Sequence, residues 1–148
     1  MDTGARIGLI LWKAYKAVEA VDRGSVAGTG VGLTDCAVLE VLRHKGPQPV
    51  NAIGRKVLLT SGSITSAINR LEHRGLVARR RDVDDARIFW VDLTNTGRGL
   101  IESIYARHAA NLETVAQALT PEERADLVRL LKKLGRAAQR SAAGNPGT

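Results

Sequence analysis

Aromatic residues are scarce, with two tryptophans, two tyrosines and one phenylalanine among 148 residues. The core must then be built from Leu, Val, Ile and Ala, which suits helices better than a sheet sandwich. A single cysteine excludes an internal disulfide and any multi-cysteine zinc site. That residue, Cys36, sits in the apolar stretch "CAVLEVL" and reads as a small buried hydrophobe rather than a redox sensor. Long apolar runs are missing too. The early "LILW" is too short for a signal core or a membrane span, so a soluble, cytoplasmic protein is expected. The three histidines, at 44, 73 and 108, fall on separate predicted helices without metal-ligand spacing, and no nucleophile–base arrangement is visible. Neither an enzyme nor a metal or cofactor site is therefore expected. Acids are outnumbered, 15 against 22 Lys and Arg, giving a net charge of +7. Such a surplus favours polyanions, nucleic acid or anionic membrane.

At this length the chain reads as one domain, 1–148, able to bury a core without cross-links. Ile7, Leu11, Tyr15, Val18 and Val21 recur at helical spacing from Ala5 to about Asp22, and Leu9, Ile10 and Trp12 widen the stripe. A stripe that wide suggests contact on more than one side. "RGSVAGTGVG" then breaks the pattern. Its GxGxG has no preceding strand and no phosphate-loop lysine, so residues 24–33 read as a flexible connector. Thr34 is the expected cap of a second helix, Asp35 to His44, with Ala37, Val38, Val41 and Leu42 inward. Asn51 is the expected cap of a short third helix through Val57, and Thr60 or Ser61 of a fourth that ends at Gly75. Leu76–Arg81 and Arg87–Leu93 read as strands joined by an acidic turn, Asp82–Asp85. A helix from Asn95 to about Leu119 follows. Glu122 and Glu123 resemble a catalytic carboxylate pair, but Thr120, Pro121 and Glu123 make a capping box for the last helix. Residues 142–148 are expected to form a flexible tail.

Short helix, tight connection, helix and hairpin make a winged helix-turn-helix. The expected fold is mainly α with a small β-hairpin wing: a head over 34–98, and a helical region at 5–23 and 99–140. In "SGSITSAINRLEHRG" one face carries Ile64, Ala67, Ile68 and Leu71, and the other is short and polar. A helix entering the major groove needs such a face, because bulky side chains would hold its backbone off the bases. Ser61, Ser63, Thr65, Ser66, Asn69 and Arg70 are the candidate reading residues. An ordinary solvated face would hold more Glu and Lys. Between Ser61 and Arg81 there are instead five arginines and one acid, Glu72. Arg79, Arg80 and Arg81 are placed for phosphates or the minor groove, and Asp85 could aim Arg87 from the turn.

The run "GSITSAINRLEHRGLV", the wing "DVDDAR" and "VDLTNTG" resemble the multiple-antibiotic-resistance regulator (MarR) family of prokaryotic transcription factors over roughly Leu33 to Leu100. The family's usual wing is D-P-x-D-R-R. Here Val83 replaces the proline and Ala86 the first arginine, while Asp85 and Arg87 match the Asp-x-Arg that buttresses and inserts the wing-tip arginine. The resemblance implies a homodimer formed by the first and last two helices, and a double-stranded, pseudo-palindromic DNA operator. Ile7 to Val21 and Leu127, Leu130, Leu131 and Leu134 are apolar enough to agree. It also implies repression relieved by a small aromatic or anionic ligand in a crevice, which Trp12, Tyr15 and His44 could line. The first-helix cysteine of oxidant-sensing relatives is absent here.

A sequence-specific DNA-binding regulator is thus the expected function. A non-specific architectural DNA-binding protein would use the same charge without preferring a site. A protein-binding winged helix would call for a head rich in acids and bare of arginine, the opposite of this one.

Overall fold

The computed structural model describes residues 2–57 and 61–144. Among these residues six helices and three short strands follow in the order α1 (Thr3–Val26), α2 (Leu33–Lys45), β1 (Gln48–Pro49), α3 (Val50–Lys56), α4 (Ser61–His73), β2 (Val77–Arg81), β3 (Phe89–Leu93), α5 (Asn95–Ala116) and α6 (Pro121–Ala143). The sheet order is β1-β3-β2, all antiparallel. The expected two-stranded wing thus gains a third strand. Gln48 pairs with Val91 and Pro49 with Trp90. Pro49 is tolerated because β1 lies at the sheet edge.

The core sits in the winged-helix head. Val38, Leu39 and Leu42 of α2, Ile53 of α3, and Ile64, Ala67, Ile68 and Leu71 of α4 are fully buried or nearly so, and Val77 and Val91 close it from the sheet. Leu39 is fully buried although its place in the helical pattern did not single it out, and Ala37, expected inward, is exposed in the single chain. On α4 the expected apolar face is the buried one.

Several helix starts differ from expectation. Gly32, not Thr34, precedes α2, and the Cys36 N–H donates to its carbonyl. Pro49, not Asn51, precedes α3, whose first turn takes in Asn51. Proline there presets the chain direction, and no side-chain cap is needed. Thr60 and the Ser61 side chain, the alternatives for α4, lie outside the described residues. α1 continues through Val26, a turn past the expected end, because Ser25 turns inward: it is 1% exposed, and its hydroxyl donates to the Val21 carbonyl. Arg107 donates to the Ser25 carbonyl and Asn111 to its hydroxyl, tying the end of α1 to α5.

At Gly75 the chain leaves α4 with φ +70°, a conformation that favours glycine, and the Leu76 N–H returns to the Leu71 carbonyl. Thr94 then locks the start of α5. Its hydroxyl donates to Gly75 O at 2.6 Å and accepts from Gly97 N–H at 3.0 Å.

The chain divides into two compact units, Met1–Asn111 and Leu112–Thr148, a division that falls within α5. In the second unit the capping box forms as expected: Glu123 N–H donates to Thr120 Oγ1, and Thr120 N–H to the Glu123 carboxylate. α6 buries no residue, and Leu127, Val128, Leu130, Leu131 and Leu134 stay exposed along it. It runs to Ala143, into the region expected as a tail; residues 145–148 are not described.

Candidate nucleic-acid interface

α4 is supported from behind by its buried apolar stripe and presents Gly62, Ser63, Thr65, Ser66, Asn69 and Arg70 outward, all exposed. Its first turn carries no acid. The partial positive charge of a helix N-terminus is therefore uncancelled where a phosphate would approach. A groove lined by Thr34 of α2 and by Gly62, Ser63, Ser66 and Arg70 of α4 runs between the two helix starts.

Arg70 and Asn69 on this face are held by side chains of other elements. Arg70 donates from Nε and Nη2 to the two Asp35 oxygens at 3.0 and 2.7 Å. Asp35 lies in the first turn of α2 and is only 13% exposed, whereas Arg70 keeps 55% of its side-chain surface. The acid thus fixes the guanidinium while leaving it reachable. Asn69 accepts from Arg79 Nη2 at 2.6 Å.

Arginines 79, 80 and 81 do not share one role. The antiparallel register sets Arg79 opposite Val91, on the sheet face that covers the core, and Arg80 opposite Trp90 on the other face. Arg79 reaches α4 and donates to Glu72 at 2.9 Å as well as to Asn69. The guanidinium holds the Glu72 carboxyl below its ordinary pKa. Arg80 stands 5.6 Å from the Trp90 ring centre and Arg81 5.2 Å from that of Phe89. Both are exposed. The stacked aromatics limit their rotamers while the charges face solvent.

The wing turn is built by two aspartates. Asp82 accepts from Asp84 and Asp85 N–H at 3.0 Å each and from Trp90 Nε1 at 2.7 Å, and these bonds, the tryptophan's foremost, hold its carboxyl below its ordinary pKa. Asp85 takes the Arg87 side chain on both oxygens, at 3.1 and 3.0 Å, and Arg87 N–H at 3.0 Å; its pKa is lowered chiefly by that side chain. Arg87 is 90% exposed. A fully solvated guanidinium held in one orientation is placed to meet an anion with little rotamer entropy left to lose.

Arg74, the fifth arginine of the segment, turns away from α4's outer face. It donates to the Thr29 and Gly30 carbonyls at 3.0 and 2.8 Å, and Gly30, at φ +73°, leaves room for it. Asp35 and Asp82, which hold Arg70 and the wing turn, were not among the expected site residues. Asp82 carries a signal, since an aspartate opening a tight turn commonly accepts from N–H groups two or three residues on. Asp35 carries none, because its partner is 35 residues away.

Of the residues suggested for a ligand crevice, the structure brings only Tyr15 to a cavity. That cavity of about 350 Å³ is also lined by Asp22, Cys36, Tyr105 and His108. Trp12 and His44 lie elsewhere, and both are exposed. Cys36 is half-buried, and burial, with Glu40 and Asp22 nearby, pushes its thiol up to about 11.

The MarR family model matches residues 33–89, the span from the start of α2 to the start of β3. The chain is 35% identical over 130 residues to the HTH-type transcriptional regulator MhqR of Bacillus subtilis (strain 168), covering 88% of this chain and 90% of that protein. This chain belongs to the MarR family. Solved structures agree with that placement. A probable transcriptional regulator from Pseudomonas aeruginosa superposes with a TM-score of 0.76 at 31% identity, over 86% of this chain and 96% of that one. Bordetella bronchiseptica BpsR, studied for regulation of its DNA binding by 6-hydroxynicotinic acid, superposes at 0.80 with 26% identity, over 88% and 98%. This MarR-family protein is a DNA-binding transcriptional regulator with a winged-helix fold. Among the described residues no helix is long and apolar enough to cross a membrane.

Proposed function

We propose that this regulator is a cytoplasmic homodimeric repressor that reads a pseudo-palindromic operator and is released by a small ligand. The observation that carries the reading is the pairing of a slim, acid-free α4 surface with a wing whose arginine is clamped by Asp85. α4 enters the major groove with Ser63, Thr65, Ser66, Asn69 and Arg70 toward the bases, and Ser61 opens the helix. Arg80, Arg81 and Arg87 follow the backbone and the minor groove. Arg79 supports from behind, holding Asn69 and Glu72.

The dimer is supported by apolar surface left exposed on α1 and on α6. Ile7, Ile10, Trp12 and Tyr15 of α1 are exposed by 46–58%, and Leu127 to Leu134 of α6 are similarly bare. Exposed stripes of this length mark an interface. The helical regions 5–23 and 99–140 would form it, leaving the heads at 34–98 free, with residues 24–33 connecting and 142–148 trailing. Two-fold symmetry then sets the half-sites about one helical turn apart.

Fluorescence anisotropy on the duplex upstream of its own gene, beside a scrambled duplex and at two salt concentrations, tests the reading. Preference of about a thousandfold, with affinity falling steeply in salt, is the expected result. Equal, salt-sensitive binding to both duplexes would instead identify a non-specific architectural protein.

Asp35 provides a finer test. Asp35→Asn keeps the size and removes the charge that aims Arg70. Discrimination between the operator and single-base variants should fall by about tenfold at the Arg70 position, while binding to scrambled DNA holds or tightens slightly. Equal weakening on every duplex would show that Arg70 touches only phosphate.

A further inference from the structure

The cavity of about 350 Å³ lies within the first unit, between the C-terminal half of α1, α2 and α5. Its size is in the range of small-ligand pockets. Ile101, Ile104, Leu33 and Val26 give it apolar walls, and the Tyr15 and Tyr105 side chains add aromatic surface. Its charges all have one sign apart from His108: Glu19, Asp22 and Glu40 line it, and no lysine or arginine among the described residues does.

The three carboxylates are not equivalent. Glu19 is answered from outside the cavity by Lys16 at 3.0 Å and Arg23 at 3.5 Å. Glu40 takes Arg43 on both oxygens, at 2.8 and 2.9 Å. Asp22 has no such partner among the described residues. Its Oδ1 is shut off from solvent without an aligned hydrogen bond there. The nearest basic group, His108 Nδ1 at 3.0 Å, neutralises it only when the imidazole is protonated. The side chain keeps 28% of its surface and lines the cavity. A half-buried carboxylate whose nearest basic group is a histidine favours a charged donor and repels an acid.

We infer that this cavity selects a small organic cation, a protonated amine on an apolar or aromatic body, and rejects carboxylates. The ammonium sits against Asp22, and the apolar body lies along Ile101 and Ile104 between the tyrosines. Tyr105 already holds one cation: the Arg43 guanidinium is 3.8 Å from its ring centre. Cys36 lines the same cavity as a half-buried thiol. The inference rests on the reading of this protein as a ligand-released regulator, and it gives the ligand a charge opposite to that of a pyridine carboxylate such as 6-hydroxynicotinic acid.

Three probes with one body and different head groups test it by calorimetry on the full-length protein at neutral pH: phenethylamine, phenethyl alcohol and phenylacetate. The amine should bind about tenfold more tightly than the alcohol, with the acid weakest, on the scale of one charge-assisted hydrogen bond. Asp22→Asn should bring the amine down to the level of the alcohol and leave the alcohol unchanged. Phenylacetate binding as tightly as the amine, three equal affinities, or no binding of any probe at millimolar concentration would overturn the inference. If Asp22→Asn does not fold, the probe order on the unaltered protein decides alone. Repeating the titrations on the protein–DNA complex separates the two readings. An amine that binds without releasing DNA refutes ligand relief and leaves the cavity's selectivity standing.

Discussion

Gly97→Ala should lower the urea midpoint of unfolding sharply, at the upper end of the roughly 1–3 kcal/mol that overpacking costs. Alanine is the better helix former by about 1 kcal/mol, so propensity alone predicts the opposite sign. The clash decides. A Cβ at Gly97 would overlap the carbonyl oxygen of Leu76, which is backbone and cannot rotate away. Nor can Leu76 retreat. Its N–H is bonded to Leu71 O at 2.9 Å, its carbonyl accepts from Thr94 N–H at 3.1 Å, and its side chain is 3% exposed. Gly99, two residues on in the same helix, would place a methyl group with nothing within 4 Å of it, so Gly99→Ala is the matched control and should hold or gain stability. Equal midpoints for the two variants would mean that the α5–β2 junction relaxes at little cost. The junction also bears on function, because β2 carries the wing arginines and starts one residue beyond Leu76.

The parts of this molecule governed by local rules were readable in the residue order. α4's buried stripe follows from a period of 3.6, the capping box of α6 from four consecutive residue types, and the left-handed turn from Gly75. Local rules misplaced the starts of α2 and α3, where Gly32 and Pro49 precede the helices, and the rest of what escaped depends on tertiary partners. β1 is two residues long, too short for any alternation to reveal, and exists because β3 has a free edge beside it. Arg79, Arg80 and Arg81 look alike as a run, yet Arg79 bonds Glu72 and Asn69 of α4 while Arg80, on the other face, and Arg81, at the strand end, are exposed. Period-two counting from the buried Val77 would have set Arg80 apart, but it groups Arg81 with Arg79, and only the nearness of α4 tells those two apart. Asp35 aiming Arg70, and Asp22 in the cavity beside His108, need helices brought together from distant parts of the chain. Charge composition pointed to a polyanion for the head and was silent about a cavity lined by acids.

Arg87→Ala should cost the largest share of operator affinity, about 1.5–3 kcal/mol for each wing if one charged contact is lost. The proposed dimer has two wings, so the measured affinity should fall by about a hundredfold or more. The effect is concentrated on one residue because the wing departs from the family pattern: Ala86 stands where the pattern has an arginine, leaving Arg87 as the guanidinium at the tip. Asp85 stays ionised well below neutral pH, held there by the arginine itself, so the clamp persists across the physiological range. Asp85→Asn should therefore give a smaller loss than Arg87→Ala, since the charge remains but its aim is lost. Arg87→Lys should fall between the parent and the alanine variant, because a lysine cannot meet both Asp85 oxygens with a planar fork. The salt dependence identifies the target. A shallower slope, by about one unit per wing, would place Arg87 on phosphates. An unchanged slope, with the loss confined to operators having A·T pairs under the wing, would place it in the narrow minor groove. Full affinity for Arg87→Ala would remove the wing from the interface and leave recognition to α4.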